Sequence, residues 1–251
     1  MKICFASLGC DKNSVDSEVM LGKLLEAGHE FTDDETEAEA AVVNTCCFIN
    51  DAKEESIETI ISLGRLKSEG NLKALVIAGC LGQRYSEDIH TMLPEVDAIV
   101  GIASIDKIAE VLEGVIKENP VDVLDDLKRA PFGNQKRVIT TGGYSEYLKI
   151  AEGCDKHCTY CVIPKVRGPF RSIPMDDLVE EARKLTDGGV REIILVAQET
   201  TLYGQDIYGR KSLPELLCRL CSIEDLKWIR LMYCYPEEIT EELIDCIANN
   251  P

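Results

Sequence analysis

Over residues 1–116, short apolar runs alternate with segments whose apolar positions recur every three to four residues. That alternation is the pattern of βα units built on a parallel sheet. Residues 2–7, 41–44, 74–78 and 98–101 read as strands. Asn13 or Ser14 can cap a helix with Val19, Met20, Leu24 and Leu25 on its apolar face, and Gly28 is its stop. A further helix is expected over residues 51–66. Together these elements predict an open, doubly wound parallel sheet.

Residues 117–146 break the rhythm. Pro120, Pro131, Gly133, Gly142 and Gly143 fall among polar residues with no sustained period, as in a linker or an extended connection. A second βα series then occupies residues 147–251. Strands are expected over residues 147–151, 192–197 and 227–232, and helices after Pro174, over 213–221 and over 240–248. Three βα units are too few to close a barrel, so this series predicts a partial (βα) barrel, with the chain a C-terminally truncated piece of something longer.

Composition is that of an ordinary globular protein, 45% hydrophobic and 29% charged. No apolar run approaches the ~20 residues that span a bilayer, and the N-terminus lacks a signal-peptide pattern, so a cytoplasmic location is expected. The net charge of -18 argues against a broad phosphate-binding face, so direct nucleic-acid binding is not expected. The 12 cysteines change the picture more. In reducing cytosol a cysteine cluster points to metal or redox chemistry rather than to disulfides.

The sharpest motif is Gly153-Cys154-Asp155-Lys156-His157-Cys158-Thr159-Tyr160-Cys161, a C-x₃-C-x₂-C run just after an expected strand. Thiolates select zinc or iron–sulfur clusters. A structural zinc site wants four closed ligands, whereas three cysteines on a four-iron cluster leave one iron open. The competing readings are a zinc site completed by His157, and buried free thiols. At this motif, with its aromatic Tyr160, the sequence resembles the radical S-adenosylmethionine (SAM) superfamily. The resemblance implies a partial or full (βα) barrel whose open iron chelates SAM and cleaves it to a 5′-deoxyadenosyl radical.

A second constellation emerges from the strand reading. Cys10, Cys46 and Cys80 each lie just past the carboxyl end of an expected parallel strand, where open α/β sheets gather ligands. Gly9 and Gly79 precede two of them and allow tight turns. Buried core cysteines are the alternative. The surrounding segments, Ser7-Leu8-Gly9-Cys10-Asp11-Lys12-Asn13, Asn44-Thr45-Cys46 and Gly79-Cys80, resemble the N-terminal domain of the radical SAM methylthiotransferases, which carry two [4Fe-4S] clusters. Of the other cysteines, Cys218 and Cys221 form a C-x₂-C on an expected helix with Leu216, Leu217 and Leu220, and read as core residues. Cys47 reads as a bystander beside Cys46.

Within that family, Leu8–Asn13, Cys47-Phe48-Ile49 leading into residues 52–57, and residues 197–204 are similar to the subclass that modifies ribosomal protein S-twelve. Asp11 stands where that subclass usually has proline, and Glu199 where aspartate is more typical. The resemblance implies an enzyme that adds a methylthio group to the β-carbon of an aspartate in that small-subunit protein. Its cofactors would be two [4Fe-4S] clusters and SAM, its reductant a flavodoxin- or ferredoxin-type donor. Cys10, Cys46 and Cys80 would ligate one cluster, and Cys154, Cys158 and Cys161 the SAM-chelating one. Gln198, Glu199 and Thr200 would contact SAM, with Tyr160 near it. Arg230 could meet a carboxylate or form a structural salt bridge. The resemblance also implies that a C-terminal TRAM domain is absent and that the fragment alone is inactive. The alternatives are a tRNA adenosine methylthiotransferase and, outside enzymes, an iron–sulfur electron carrier or zinc-stabilised binding module.

Overall fold

Unbroken runs of small and β-branched residues set the first sheet. The computed structural model describes residues 1–70 and 72–250, and Pro251 lies outside them. The chain divides into two compact units, residues 1–127 with 136–138, and residues 128–135 with 139–251.

The first unit runs β1 (Lys2–Ser7), α1 (Asp11–Glu26), β2 (Glu30–Phe31), β3 (Ala40–Thr45), α2 (Asn50–Glu69), β4 (Ala74–Gly79), α3 (Cys80–Met92), β5 (Ala98–Val100) and α4 (Ile108–Ile116). Its five strands are all parallel, in the order β2-β1-β3-β4-β5. Every residue of β3 and β4 is buried, as expected of strands covered on both faces by helices. This is the doubly wound arrangement, and its chain reversal falls between β1 and β3.

The start of α1 differs from the reading of its sequence. The helix begins at Asp11 with Cys10 at the N-cap, and no side chain caps it. Asn13 is drawn away because its amide donates to the Leu8 and Thr45 carbonyls, at 2.9 and 3.0 Å. Val19, Met20 and Leu24 are buried as expected, but Leu25 is exposed. Polar residues share the buried face: Glu18 pairs with Arg137 at 2.7 Å, and Ser17 accepts from the Asn44 amide at 2.9 Å. Periodicity alone cannot register such satisfied polar positions.

The second unit runs β6 (Ser145–Lys149), β7 (Ala151–Glu152), α5 (Ile163–Arg167), β8 (Arg171–Ser172), α6 (Met175–Asp187), β9 (Glu192–Val196), α7 (Gln205–Tyr208), α8 (Leu213–Cys221), β10 (Trp228–Leu231) and α9 (Glu241–Asn249). Strands β6, β9 and β10 form a parallel sheet in the order β10-β9-β6, the sequential winding of a partial barrel. The expected strand over residues 147–151 divides. Ser145–Lys149 joins the parallel sheet, while Ala151–Glu152 pairs antiparallel with Arg171–Ser172. Leu148, Ile193, Leu195, Leu178, Ala182, Leu216 and Leu220 pack into one core between sheet and helices. Each such Leu or Ile contributes ~1.5–3 kcal/mol by leaving water.

One assignment needs correction here, and one alternative is decided. Cys218 and Cys221 are exposed, not core, because Leu213, Leu216, Leu217 and Leu220 fill the buried face of α8. Arg230 forms the structural salt bridge, to Glu192 at 2.6 Å on the neighbouring strand. Among the described residues no helix is long and apolar enough to cross a membrane.

Candidate cluster sites

In the first unit, sheet register decides where the cysteines go. Ser7 lies opposite Asn44, and Asn44 opposite Ala78. The three strands therefore end level with one another. Cys46 leaves β3 directly, Cys80 leaves β4 directly to open α3, and Cys10 follows β1 across a short turn. Cys10 and Cys46 flank the chain reversal, the position at which doubly wound sheets bind ligands. Both expected glycine turns form, with φ of +98° at Gly9 and +87° at Gly79.

Two polar side chains stitch these strand ends together. Besides its two amide bonds, Asn13 presents its Oδ1 to the Cys80 thiol at 3.9 Å. Thr45 Oγ1 donates to the Ala78 carbonyl at 2.5 Å and accepts from the Leu81 N–H at 3.2 Å. Behind Cys46, Ser56 of α2 accepts from the Cys46 N–H at 3.0 Å. Cys46 and Cys80 are buried and Cys10 half-buried. Cys47 is also buried, and its thiol donates to the Cys80 carbonyl at 3.3 Å.

In the second unit, Cys154, Cys158 and Cys161 occupy one irregular loop between β7 and α5, each half-buried. Backbone bonds shape it. Cys154 N–H donates to the Gly168 carbonyl at 3.1 Å, and Cys161 N–H to the Cys158 carbonyl at 3.0 Å. Gly153 has φ +78°, and any side chain there would collide with the Gly168 and Pro169 carbonyls. Asp155 accepts from the Phe170 N–H at 3.1 Å. Lys156 is tied to Glu238 and lies 4.4 Å over the Tyr235 ring. Burial pushes the Cys154 thiol up. The charges of Glu199, Cys161 and Cys158 add to that against the Lys156 N–H, so these groups share one electrostatic neighbourhood.

The expected SAM contacts separate into two kinds. Gln198, Glu199 and Thr200 follow β9, and Glu199 and Thr200 are buried rather than forming a solvated loop. Glu199 accepts from the Thr201 N–H at 3.0 Å and from its hydroxyl, and Thr200 donates to the Met232 carbonyl at 2.7 Å. Gln198 donates to Glu152 at 3.0 Å while its buried amide oxygen has no partner. Tyr160 is 85% exposed, near enough to Tyr235 to help raise its phenol behind the larger effects of Glu237 and Cys158.

Beneath the loop lies a group that motif reading did not find. Glu152 is fully buried and held by both oxygens at 2.9 Å to Arg167, with Lys149 at 3.1 Å. Burial alone would raise its carboxyl, but the Arg167 and Lys149 charges outweigh that and hold it well below the usual carboxylate range. Gly153 N–H also donates to it at 3.2 Å, so the charge network abuts the residue before Cys154. The only sequence signal was an acidic residue ending a strand and an arginine fifteen positions on.

Among the described residues, no group of three His, Cys, Asp or Glu side chains is gathered so as to hold a single metal ion. A four-iron cluster spreads its thiolates over the corners of a cube, farther apart than the ligands of one ion. Each triad offers three thiols that no disulfide consumes, a donor type that iron–sulfur clusters take, and the second unit adds the unsatisfied buried Gln198 oxygen.

Comparison with known proteins bears on both units. A model described as uncharacterized protein family UPF0004 matches residues 2–101, and the radical SAM superfamily model matches residues 148–251. The ribosomal protein uS12 methylthiotransferase RimO of Lachnoclostridium phytofermentans is 59% identical over 99% of this chain and 57% of its own length. Those of Clostridioides difficile and Acetivibrio thermocellus are 49% and 50% identical, over 98% and 99% of this chain and 56% of each relative. The chain thus spans a little over half the length of the curated relatives it matches. Among solved structures, the radical SAM methyltransferase TsrM of Kitasatospora setae, with cobalamin and a [4Fe-4S] cluster bound, has a TM-score of 0.66. It is 15% identical, over 98% of this chain and 56% of that one, a likeness of fold.

Proposed function

Because the chain belongs to the radical SAM methylthiotransferase family, we propose that it carries the two-cluster machinery that adds a methylthio group to the β-carbon of an aspartate in ribosomal protein uS12. The observation that carries this reading is the level ending of β1, β3 and β4, which gives a radical-type loop triad a second triad of thiols. A radical generator needs only the loop; a sulfur-inserting enzyme needs a second place to hold sulfur.

Cys10, Cys46 and Cys80 would hold one [4Fe-4S] cluster, and Cys154, Cys158 and Cys161 the SAM-chelating one. When loaded, these groups supply the sulfur, the methyl group and the hydrogen-abstracting radical. The protein's own contribution is positional. Asn13 and Thr45 hold the first triad's strand ends in register. Glu152 and Arg167 fix the floor of the second loop. The unpartnered amide oxygen of Gln198 would accept from the methionine ammonium, and Glu199, Thr200 and Tyr160 would be further SAM contacts. A flavodoxin- or ferredoxin-type donor would supply electrons, and uS12 would be the macromolecular partner in the cytoplasm, without direct nucleic-acid binding.

Anaerobic reconstitution with iron counting tests the ligand sets. The parent should hold two clusters' worth of iron, and each triple Cys→Ser variant about half. One cluster's worth in the parent would overturn the proposal. The substrate is tested by mass spectrometry of uS12 and tRNA from a strain lacking the gene. Loss of the methylthio group from uS12 is expected, and loss from tRNA instead would refute the assignment.

A further inference from the structure

Three cysteines outside both triads meet at one end of the second unit. Cys218 and Cys221 project from α8, and Cys246 from α9, with Sγ of Cys218 and Cys246 only 3.8 Å apart. The C-x₂-C spacing suggests a 218–221 pair, but helix geometry opposes it. Residues three apart on a helix have Cβ atoms ~5–6 Å apart, beyond the ~3.5–4.5 Å of a disulfide. The reachable partner of Cys218 is therefore across the interhelical gap. We propose that Cys218 and Cys246 form a reversible dithiol–disulfide site, oxidised by thiol–disulfide exchange with a low-molecular-weight disulfide.

The exchange balances in two steps. The exposed Cys218 thiolate attacks the external disulfide, forming a mixed disulfide and releasing one thiolate. Cys246, after losing its proton to solvent, attacks the Cys218 sulfur and expels the second. Two protein thiols are oxidised and one external disulfide is reduced to two thiols. Cys246 is the slower partner. Burial, then its hydrogen bond with Cys218, pushes its thiol up to about 11, and it also donates to the Pro214 carbonyl at 3.5 Å.

The bond would staple a lightly anchored helix. Only Leu243 of α9 is buried, while Ile244 and Ile247 are exposed. Between α8, α9 and β10 lies a cavity of about 310 Å³ lined by Leu217, Trp228, Leu231 and Ile247, with Cys221 and Cys246 at its wall. Linking Cys218 to Cys246 fixes α9 against that cavity. In a compartment poised by glutathione the pair stays reduced, and the staple forms only as the poise turns oxidising.

The test uses the whole chain, reconstituted anaerobically and incubated with oxidised glutathione, then acid-quenched, alkylated and mapped by mass spectrometry. A 218–246 linked peptide is expected, forming several-fold faster at pH 9 than at pH 7, persisting in Cys221→Ser and reversed by dithiothreitol. It should vanish in Cys218→Ser and in Cys246→Ser, and on oxidation proteolytic cutting within residues 240–249 should slow several-fold in the parent and in Cys221→Ser but in neither of those two variants. A 218–221 link that survives Cys246→Ser, or glutathione adducts on Cys218 with no internal link in a parent of unchanged circular dichroism, would overturn the proposal.

Discussion

Replacing Arg167 by Met tests whether the buried charge network supports the second loop. Arg167 is 1% exposed, and its guanidinium reaches both Glu152 oxygens at 2.9 Å. Removing one partner of a buried pair costs ~3–5 kcal/mol, because it strands the other charge in low dielectric. Lys149 remains 3.1 Å from Glu152 with a side chain 11% exposed, so part of the compensation survives and the lower end applies. With m of ~1–3 kcal/mol/M in urea, a loss of ~3 kcal/mol moves the midpoint down by about 1–3 M. Urea titration by circular dichroism measures this, with the lone tryptophan, Trp228, as a reporter confined to the same unit.

The pH dependence carries the sign. In the parent, the depressed Glu152 carboxyl contributes stability present above its unfolded value of 4.5 and lost as pH falls below that range. In Arg167→Met, burial dominates and raises the folded value, so the variant takes up a proton on folding and its deficit shrinks as pH drops toward 5. The double variant Glu152→Gln/Arg167→Met should be more stable than Arg167→Met alone, since the stranded charge is gone. A midpoint shift under 0.3 M (about 0.6 kcal/mol at a midrange m), or a deficit independent of pH, would refute the reasoning.

Leu148→Ala, at a fully buried position of the second core, should cost ~2–5 kcal/mol, read as a lowered urea midpoint of the Trp228 signal. Asn13→Ala removes both amide bonds between the strand ends and should reduce iron held by the Cys10, Cys46 and Cys80 set while leaving that of Cys154, Cys158 and Cys161, as counted after reconstitution. The Glu238 carboxyl, hydrogen-bonded by Lys156 and Lys211, is lowered to about 2. Its contribution should therefore be present above pH 4.5 and fade only as pH falls toward 2, and a carboxyl NMR titration with its midpoint near 4.5 would contradict the pairing. Gly153→Ala should lower soluble yield and loop-triad iron together, because the added methyl meets the Gly168 and Pro169 carbonyls.

Strands and the thiols that follow them were readable because both signals are local. The apolar runs at β3 and β4 are long enough to mean burial on two faces, and a cysteine after such a run needs no further context. The C-x₃-C-x₂-C loop was more local still. What escaped were satisfactions made at a distance. Asn13 reads as a helix cap, yet its amide is spent on carbonyls of Leu8 and of Thr45, on another strand. Glu152 and Arg167 look like two ordinary charges, because nothing in one dimension shows that both are buried against each other. Cys218 and Cys221 look like core residues in a leucine-rich stretch, and only the turn of α8 sends them outward.

The two triads are spelled in different alphabets, one counted in strands and the other in residues. Between Cys10 and Cys46, and between Cys46 and Cys80, whole helices intervene, so α1 or α2 can lengthen by a turn without displacing a thiol. Between Cys154 and Cys161 a single inserted residue changes the loop itself. The dependence on folding differs accordingly. The loop triad lies within eight consecutive residues, so its three thiols need no distant strand to come near one another. The sheet triad does not exist until three strands distant in sequence have paired, a slow, non-local event. Misfolding of the first sheet would therefore scatter Cys10, Cys46 and Cys80 while leaving Cys154, Cys158 and Cys161 neighbours in the chain.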